Sequence, residues 1–462
     1  MTLMLTKTTR LLALSLLLVA FVVAGCDVNE SFVEGYDQDP NLPTDAPVTK
    51  VFIAAQVSSI IVHEGYASRL SNMWTQHVVG DEQYTNIYDN YLVTTQDFSQ
   101  MWFSVYVRSL ANLRVAQRKA AELNGQENLI AVAKINEAML MGTVTALWGD
   151  VPYSEAAAEP PSETAAFDDQ TFVYEQVIAR LDEAIATLES DGRDLPEGTD
   201  VFSYDGDVEQ WVRAAYTLKA RFLLHQGDLP GALTAAQNGI MDDSGVDDLG
   251  IPHGTVTDEN VNLWSAFTSD RGWFTGEGGR AVELMRERTN RGSDTDESGR
   301  LDFYFDTGTT ELPLNNTDGA FEPDDTYPLV TFAENKLIIA EIQARQNNPG
   351  LALAALNDVR DFNEARYGGA FADLQESDFQ SGGSLDETTV LREVLDEAYL
   401  SYFSQIEAFN LVRRVDDYDF GLTPGGEGEL PERFLYGEEE LNGNPNAPDP
   451  APGLFEPTPV NQ

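Results

Sequence analysis

Hydrophobic residues recur along most of this chain at helical spacing. Val173, Val177, Leu181, Ile185 and Leu188 fall three and four apart, with Glu175, Arg180, Asp182 and Glu183 between them, so one stripe is apolar and the rest polar. Asp168 or Asp169 supplies a cap ahead of that helix. The same period dominates from about Thr49 to Ile240 and predicts helices over Ser99–Leu123, Asn128–Trp148, Phe172–Leu188 and Val208–Gln226. Between Met241 and Thr326 it disappears into Gly, Asp, Thr and Asn. So long an aperiodic stretch is more than a linker and reads as a loop lobe laid over a helical scaffold. Helices resume at Phe332, the last strong one covers Leu391–Arg413, and a Pro/Gly/Asn-rich tail runs Gly421–Gln462.

An internal repeat refines this picture. Ala220–Asn238 carries Gln226, a turn ending Pro230-Gly231, then Ala235-Ala236 and Asn238; Ala340–Asn357 carries Gln346, Pro349-Gly350, then Ala354-Ala355 and Asn357. Both read as helix, Pro-Gly turn, helix, with small residues where the second helix crosses the first. Each such hairpin buries its stripe only against neighbours, which is the logic of tetratricopeptide repeats. The expected fold is mostly α, a tetratricopeptide-like scaffold with a loop-rich lobe at about 241–326. No polar linker separates two cores, so residues 49–462 read as one domain.

The N-terminus follows different rules. Lys7 and Arg10 precede an apolar run, Leu11–Val23, and then Val23-Ala24-Gly25-Cys26. The run is shorter than the ~20 residues that span a bilayer, and small residues at the cut mark a secretory signal over residues 1–25 rather than an uncleaved anchor. No other stretch reads as a membrane span. Cys26, the only cysteine, is the expected lipidation site of a bacterial lipoprotein, held on the membrane by its acyl chains. Residues 26–48, with Asp39-Pro40-Asn41-Leu42-Pro43-Thr44, read as a spacer. With Cys26 acylated, disulfides and cysteine catalysis are excluded.

Charge narrows the partners. The net charge is −49, from 77 acidic and 28 basic residues, and cleavage before Cys26 removes two basic residues and no acidic one. Nucleic acid is excluded, because binding it needs phosphate neutralisation by Lys and Arg. A hydrophobic content of 42% excludes a disordered acidic polymer. The excess acid belongs on the surface, and its self-repulsion points to a salt-rich environment.

Few motifs carry chemistry. His63, His77, His225 and His253 are scattered, and His63-Glu64 lacks a second histidine four residues on, so no metal site is expected. Gly276-Glu277-Gly278-Gly279 follows no predicted strand, and there is no Gly-x-Ser-x-Gly elbow. Noncovalent capture of a sugar or peptide instead needs aromatic faces with polar groups at their edge. One candidate cluster is Trp74, Gln76, Tyr84, Tyr88 and Tyr91, flanked by Gly80, Asp81, Asn86, Asp89 and Asn90. A second is Trp264, Trp273 and Phe274 in the lobe, where no periodic stripe claims them. Trp102, Tyr106, Trp148 and Trp211 sit on helical stripes and read as packing.

Leu147-Trp148-Gly149-Asp150-Val151-Pro152-Tyr153-Ser154-Glu155-Ala156 resembles the "(Y/W)GDVPY, E-A" element of the SusD/RagB family. Thr331–Glu341, Leu356-Asn357-Asp358-Val359-Arg360, Ala408–Arg414, Leu430–Tyr436 and Asn444-Pro445-Asn446 resemble further family elements in the same order, as does Asp39–Thr44. One departure is Arg392-Glu393, where many members carry Glu-Arg. The resemblance implies a surface lipoprotein of the outer membrane that binds a nutrient, oligosaccharide above all, and delivers it to a SusC-like TonB-dependent transporter. It implies no enzyme activity and no cofactor. The rivals are a peptide binder of the same transport class, a secreted glycoside hydrolase and a tetratricopeptide scaffold protein.

Overall fold

The computed structural model describes residues 46–462, apart from 159–161, 163, 257–259, 292–293, 382–383, 386 and 427. The signal segment, Cys26 and Asp39–Thr44 lie outside the described residues. The chain is mostly helical: α1 Val48–Glu64, α2 Tyr66–Trp74, α3 Thr85–Asn90, α4 Thr95–Phe103, α5 Ala111–Ala121, α6 Glu127–Trp148, α7 Gln170–Asp191, α8 Val208–His225, α9 Leu229–Ala236, α10 Leu263–Asp270, α11 Arg280–Arg291, α12 Ser298–Tyr304, α13 Phe332–Arg345, α14 Pro349–Tyr367, α15 Glu387–Ser401, α16 Glu407–Arg414 and α17 Glu438–Gly443. Strands are short and pair in antiparallel twos: β1 (Val79–Gly80) with β5 (Phe274–Thr275), β2 (Val151–Pro152) with β3 (Phe167–Asp168), β4 (Leu249–Ile251) with β7 (Tyr327–Val330), β6 (Thr295–Asp296) with β8 (Ala370–Phe371), and β9 (Gln380–Ser381) with β10 (Ser384–Leu385).

Both repeat hairpins form as the sequence predicts. α8 ends at Gln226 and α13 at Gln346; the chain then turns through a left-handed position, Gly227 in one and Asn347 in the other. Pro230 and Pro349 open α9 and α14, where a missing amide costs nothing. α6–α7, α8–α9 and α13–α14 stack side by side. α6 is buried along nearly its whole length, and Gly142 lets α8 approach: a Cβ there would lie 2.2 Å from the Phe222 ring. By length and composition α6 could cross a membrane, contrary to the sequence reading, but its apolarity is spent on the core.

Three elements depart from the sequence expectation. The predicted helix over Ser99–Leu123 contains a π-helical segment, Ser104–Leu110, between α4 and α5. The predicted helix over Leu391–Arg413 breaks between α15 and α16 at Ser404, whose φ is +65°. There the Ser404 amide donates to Asn72 Oδ1 (2.8 Å) and Tyr327 Oη donates to the Ser404 carbonyl (2.7 Å), so tertiary partners replace the helical ones. The lobe, expected without helices, contains α10, α11 and α12. α11 presents Ala281, Val282, Leu284 and Met285 inward, but its next core position is Arg288. A buried charge interrupted the apolar stripe by which helices are recognised.

The Gly149–Tyr153 motif is a folding element. Gly149 takes φ +81° and closes α6 on Thr145 O (2.8 Å), and Asp150 Oδ1 accepts the Gln170 amide at the start of α7 (2.8 Å). The tail docks on the same corner: Trp148 Nε1 donates to Leu435 O (2.7 Å) and Tyr436 Oη to Asp150 O (2.6 Å).

Candidate functional site

The structure divides the predicted site residues into sealed and accessible ones. Trp74, Gln76, Tyr91, Trp264 and Phe274 are buried, which corrects their reading as ligand contacts. Trp74 packs edge-on to Phe434, Phe409 and Tyr91, with ring centroids 5.4, 5.5 and 6.5 Å away. Gln76 is a bracket, its amide donating to Thr423 O (2.6 Å) and accepting from Thr423 N (3.2 Å). Tyr91 Oη accepts the Gly425 amide (2.9 Å). Trp264 donates to Ser68 Oγ (3.0 Å) and lies between Phe274 and Phe321. Their rings therefore stabilise the fold and present little face to solvent.

Tyr84, Tyr88 and Trp273 remain half-buried. Pairing of β1 with β5 joins the two candidate clusters, with Gly80 opposite Phe274 and the Asp81 amide donating to Trp273 O (2.8 Å). Gly80 is required for this close turn: a Cβ there would lie 2.7 Å from Tyr84 O and 2.9 Å from Tyr88 Cβ. As a result Tyr84 meets Trp273 at 5.3 Å and Phe274 at 5.5 Å between centroids. Tyr88 sits on α3 apart from those rings, and burial, reinforced by Asp89, pushes its phenol up to about 12.

Phe267, Arg69 and Arg271 complete the cluster and were not picked from the sequence. Phe267 stacks on Tyr84 (5.4 Å, 20°) and stands edge-on to Trp273 (5.6 Å). Arg69 lies 4.4 Å over the Phe267 ring, and exposed Arg271 lies 5.4 Å over Trp273. Burial lowers the Arg69 pKa while its hydrogen bond to Tyr84 opposes that, and its Nε is a buried donor without a partner. Burial likewise raises Tyr84, against the pull of Arg69. One signal was available: Asn262 caps α10 by accepting the Trp264 and Ser265 amides (2.9 and 3.1 Å), a helix start that places Phe267 beside Trp264 on one face. Nothing local marks Arg69, which reaches the site from α2.

This arrangement offers aromatic faces, two guanidinium groups and no nucleophile. Apolar C–H surfaces can pack on such rings while hydroxyls bond at the edge. A separate cleft of about 520 Å³ is lined by polar groups including Ser203, Asp248, Asp325 and Arg366. Burial pushes Asp248 up to about 7 and Asp325 to about 6, against the Phe332 amide that bonds Asp248 and against Arg366 beside Asp325. Among the described residues no cluster of His, Cys, Asp and Glu could hold a metal ion.

Residues 40–294 match the SusD-like family model described as starch-binding and associating with the outer membrane. No curated protein matches the chain. A SusD/RagB family protein from Bacteroides thetaiotaomicron is similar in structure, with a TM-score of 0.65 and 19% identity over 90% of this chain and 99% of that one. A chitin-binding SusD homolog from Flavobacterium johnsoniae gives 0.64 and 17% over 86% and 92%. A SusD homolog from Parabacteroides distasonis gives 0.67 and 16% over 86% and 93%. With more than half its length matched by the family model and the same helical fold in these structures, the chain belongs to the SusD-like family of starch-binding, outer-membrane-associated proteins.

Proposed function

We propose that this chain is a surface lipoprotein, anchored in the outer membrane through Cys26, that captures an oligosaccharide and delivers it to a SusC-like TonB-dependent transporter. The observation that carries this reading is the joining of Tyr84 and Trp273 by the β1–β5 pair, in a chain of a starch-binding family. Tyr84, Phe267 and Trp273 supply the faces on which sugar rings pack, and the exposed Arg271 guanidinium supplies donors at their edge. The function is binding without covalent chemistry. A broad face of the helical stack meets the transporter.

The test is affinity electrophoresis and calorimetry of the mature chain with starch, chitin oligosaccharides and peptides. Replacing Tyr84 and Trp273 together with Ala should weaken glycan retention at least tenfold without loss of helicity. Unchanged retention would reject the platform, and retention of peptides alone would reject the glycan.

A further inference from the structure

A groove of about 500 Å³ lies along α4, the π-helical segment and α17, and shares no residue with the Tyr84–Trp273 platform. Its apolar wall consists of two adjacent rows: Trp102 with Tyr106, and Phe103 with Val107. The inner row is packed, with Trp102 and Tyr106 rings 4.8 Å apart. The outer row is more open, for Phe103 is 42% and Val107 52% exposed, an apolar lip one ring wide with the Arg108 guanidinium 5.1 Å over the Phe103 ring. The lip lies at the junction where α-helix passes into the π-helical segment, and such irregularities recur at functional sites.

The facing wall is polar and fixed. Glu440 accepts from Trp102 Nε1 (3.2 Å) on one oxygen and from Asn444 Nδ2 (2.7 Å) on the other. The Ser99 hydroxyl bonds Glu439 and holds its carboxyl below the usual range. Gln96 and Gln100 add amides. Tyr106 Oη is a buried hydroxyl without a partner. Apolar faces beside pre-positioned acceptors suit a ligand with C–H surface and donors around its edge. Two carboxylates side by side on this wall disfavour an acidic ligand.

We infer that this groove is a second saccharide site, selective for neutral or amino sugars over uronic acids. The inference rests on the glycan-binding reading above, and its test separates the two. The mature chain, its Tyr84→Ala/Trp273→Ala variant and that variant with Phe103→Ala and Gln100→Ala added are titrated calorimetrically with maltohexaose, N-acetylchitohexaose, its deacetylated hexamer and hexagalacturonate. Circular dichroism checks that each is folded. The platform variant should keep measurable binding of at least one neutral or amino hexamer and none of hexagalacturonate. Adding the groove substitutions should lower that residual affinity at least tenfold.

Loss of all binding in the platform variant, or residual binding indifferent to the groove substitutions, overturns the second site alone. If the native chain binds none of the hexamers, both readings fall together. If the platform substitutions change nothing and Phe103→Ala with Gln100→Ala removes binding, the groove stands and the platform fails.

Discussion

The stacked hairpins α8–α9 and α13–α14 and the lobe between them are both well packed, but they are held differently. In the stack, period supplies the core: Ala220, Ala232, Ala236, Ile338 and Ile342 meet along helix stripes at full burial or close to it. In the lobe, isolated side chains on short helices do the same work without a continuous apolar stripe. Trp264 is fully buried there, and Arg288 and Arg300 reach into the interior to meet Glu397 of α15 at 2.7 and 2.6 Å. Buried ion pairs tie both regions; in the stack one of them is Arg221, which donates to Glu334 (2.6 Å) near Glu407 and His225. An aperiodic region can thus be as buried as a periodic one, provided a few large or charged residues reach partners in the interior. It also follows that an aromatic residue without a periodic stripe is not exposed by default, as Trp264 shows.

The sharpest way to break the comparison is at the lobe's tie. Glu397→Ala removes one of the two carboxylates that buried Arg288 and Arg300 share, the other being Glu297, and should cost about 3–5 kcal/mol in denaturant unfolding. A loss under about 1 kcal/mol would mean the lobe does not depend on it. Next, Trp264→Ala should cost about 3–5 kcal/mol as a buried-aromatic deletion, whereas Trp273→Ala should stay within about 1 kcal/mol while weakening glycan retention. Equal losses at the two tryptophans would erase the distinction between sealed and presented rings.

Acid should act on buried groups in two steps. Burial lowers His63 and His77 to about 4, so protons bind the unfolded chain preferentially between the ordinary histidine pKa and 4, and stability falls as pH drops through that window. Asp248, raised by burial to about 7, acts with the opposite sign, because its protonation on acidification relieves a buried charge. Below about 4.5 the sign is uniform. Burial favours the neutral acid, but Arg414 and Arg345 hold Glu341 at about 2, and Arg221 and His225 hold Glu407 at about 2. The stability they provide is complete above the ordinary carboxylate pKa and is lost as pH falls through 2. Melting temperatures from pH 8 to 2 should therefore decline gently and then steeply below about 4.5; a curve steepest above pH 5 would contradict this.

The smallest effect concerns salt. Buried arginines such as Arg221, Arg288 and Arg300 are matched by buried carboxylates such as Glu334, Glu397 and Glu407, so the excess negative charge is left to the surface. Screening at ~3 Å in molar salt should stabilise the chain relative to ~10 Å at 0.1 M, seen as higher helicity and melting temperature. Indifference to salt would remove the argument for a salt-rich environment.

Local rules made the helical scaffold legible. Val173–Leu188 reads as a helix because one stripe is apolar, and Pro230-Gly231 and Pro349-Gly350 mark turns because proline can only open the next helix. The lobe helices were hidden because α11 spends a core position on Arg288, whose burial depends on Glu397 more than a hundred residues away. For the site, sequence supplied Tyr84 and Trp273 but not their pairing, nor Arg69 and Phe267 between them.

By itself, then, the sequence determined the helical class, the paired hairpins and a strongly acidic exterior, since each follows from spacing, turn chemistry or charge within a short window. Only the tertiary structure decided which aromatic rings face solvent. That choice depends on what covers each ring, and the covering groups, Phe434 over Trp74 and Phe321 over Trp264, come from far along the chain.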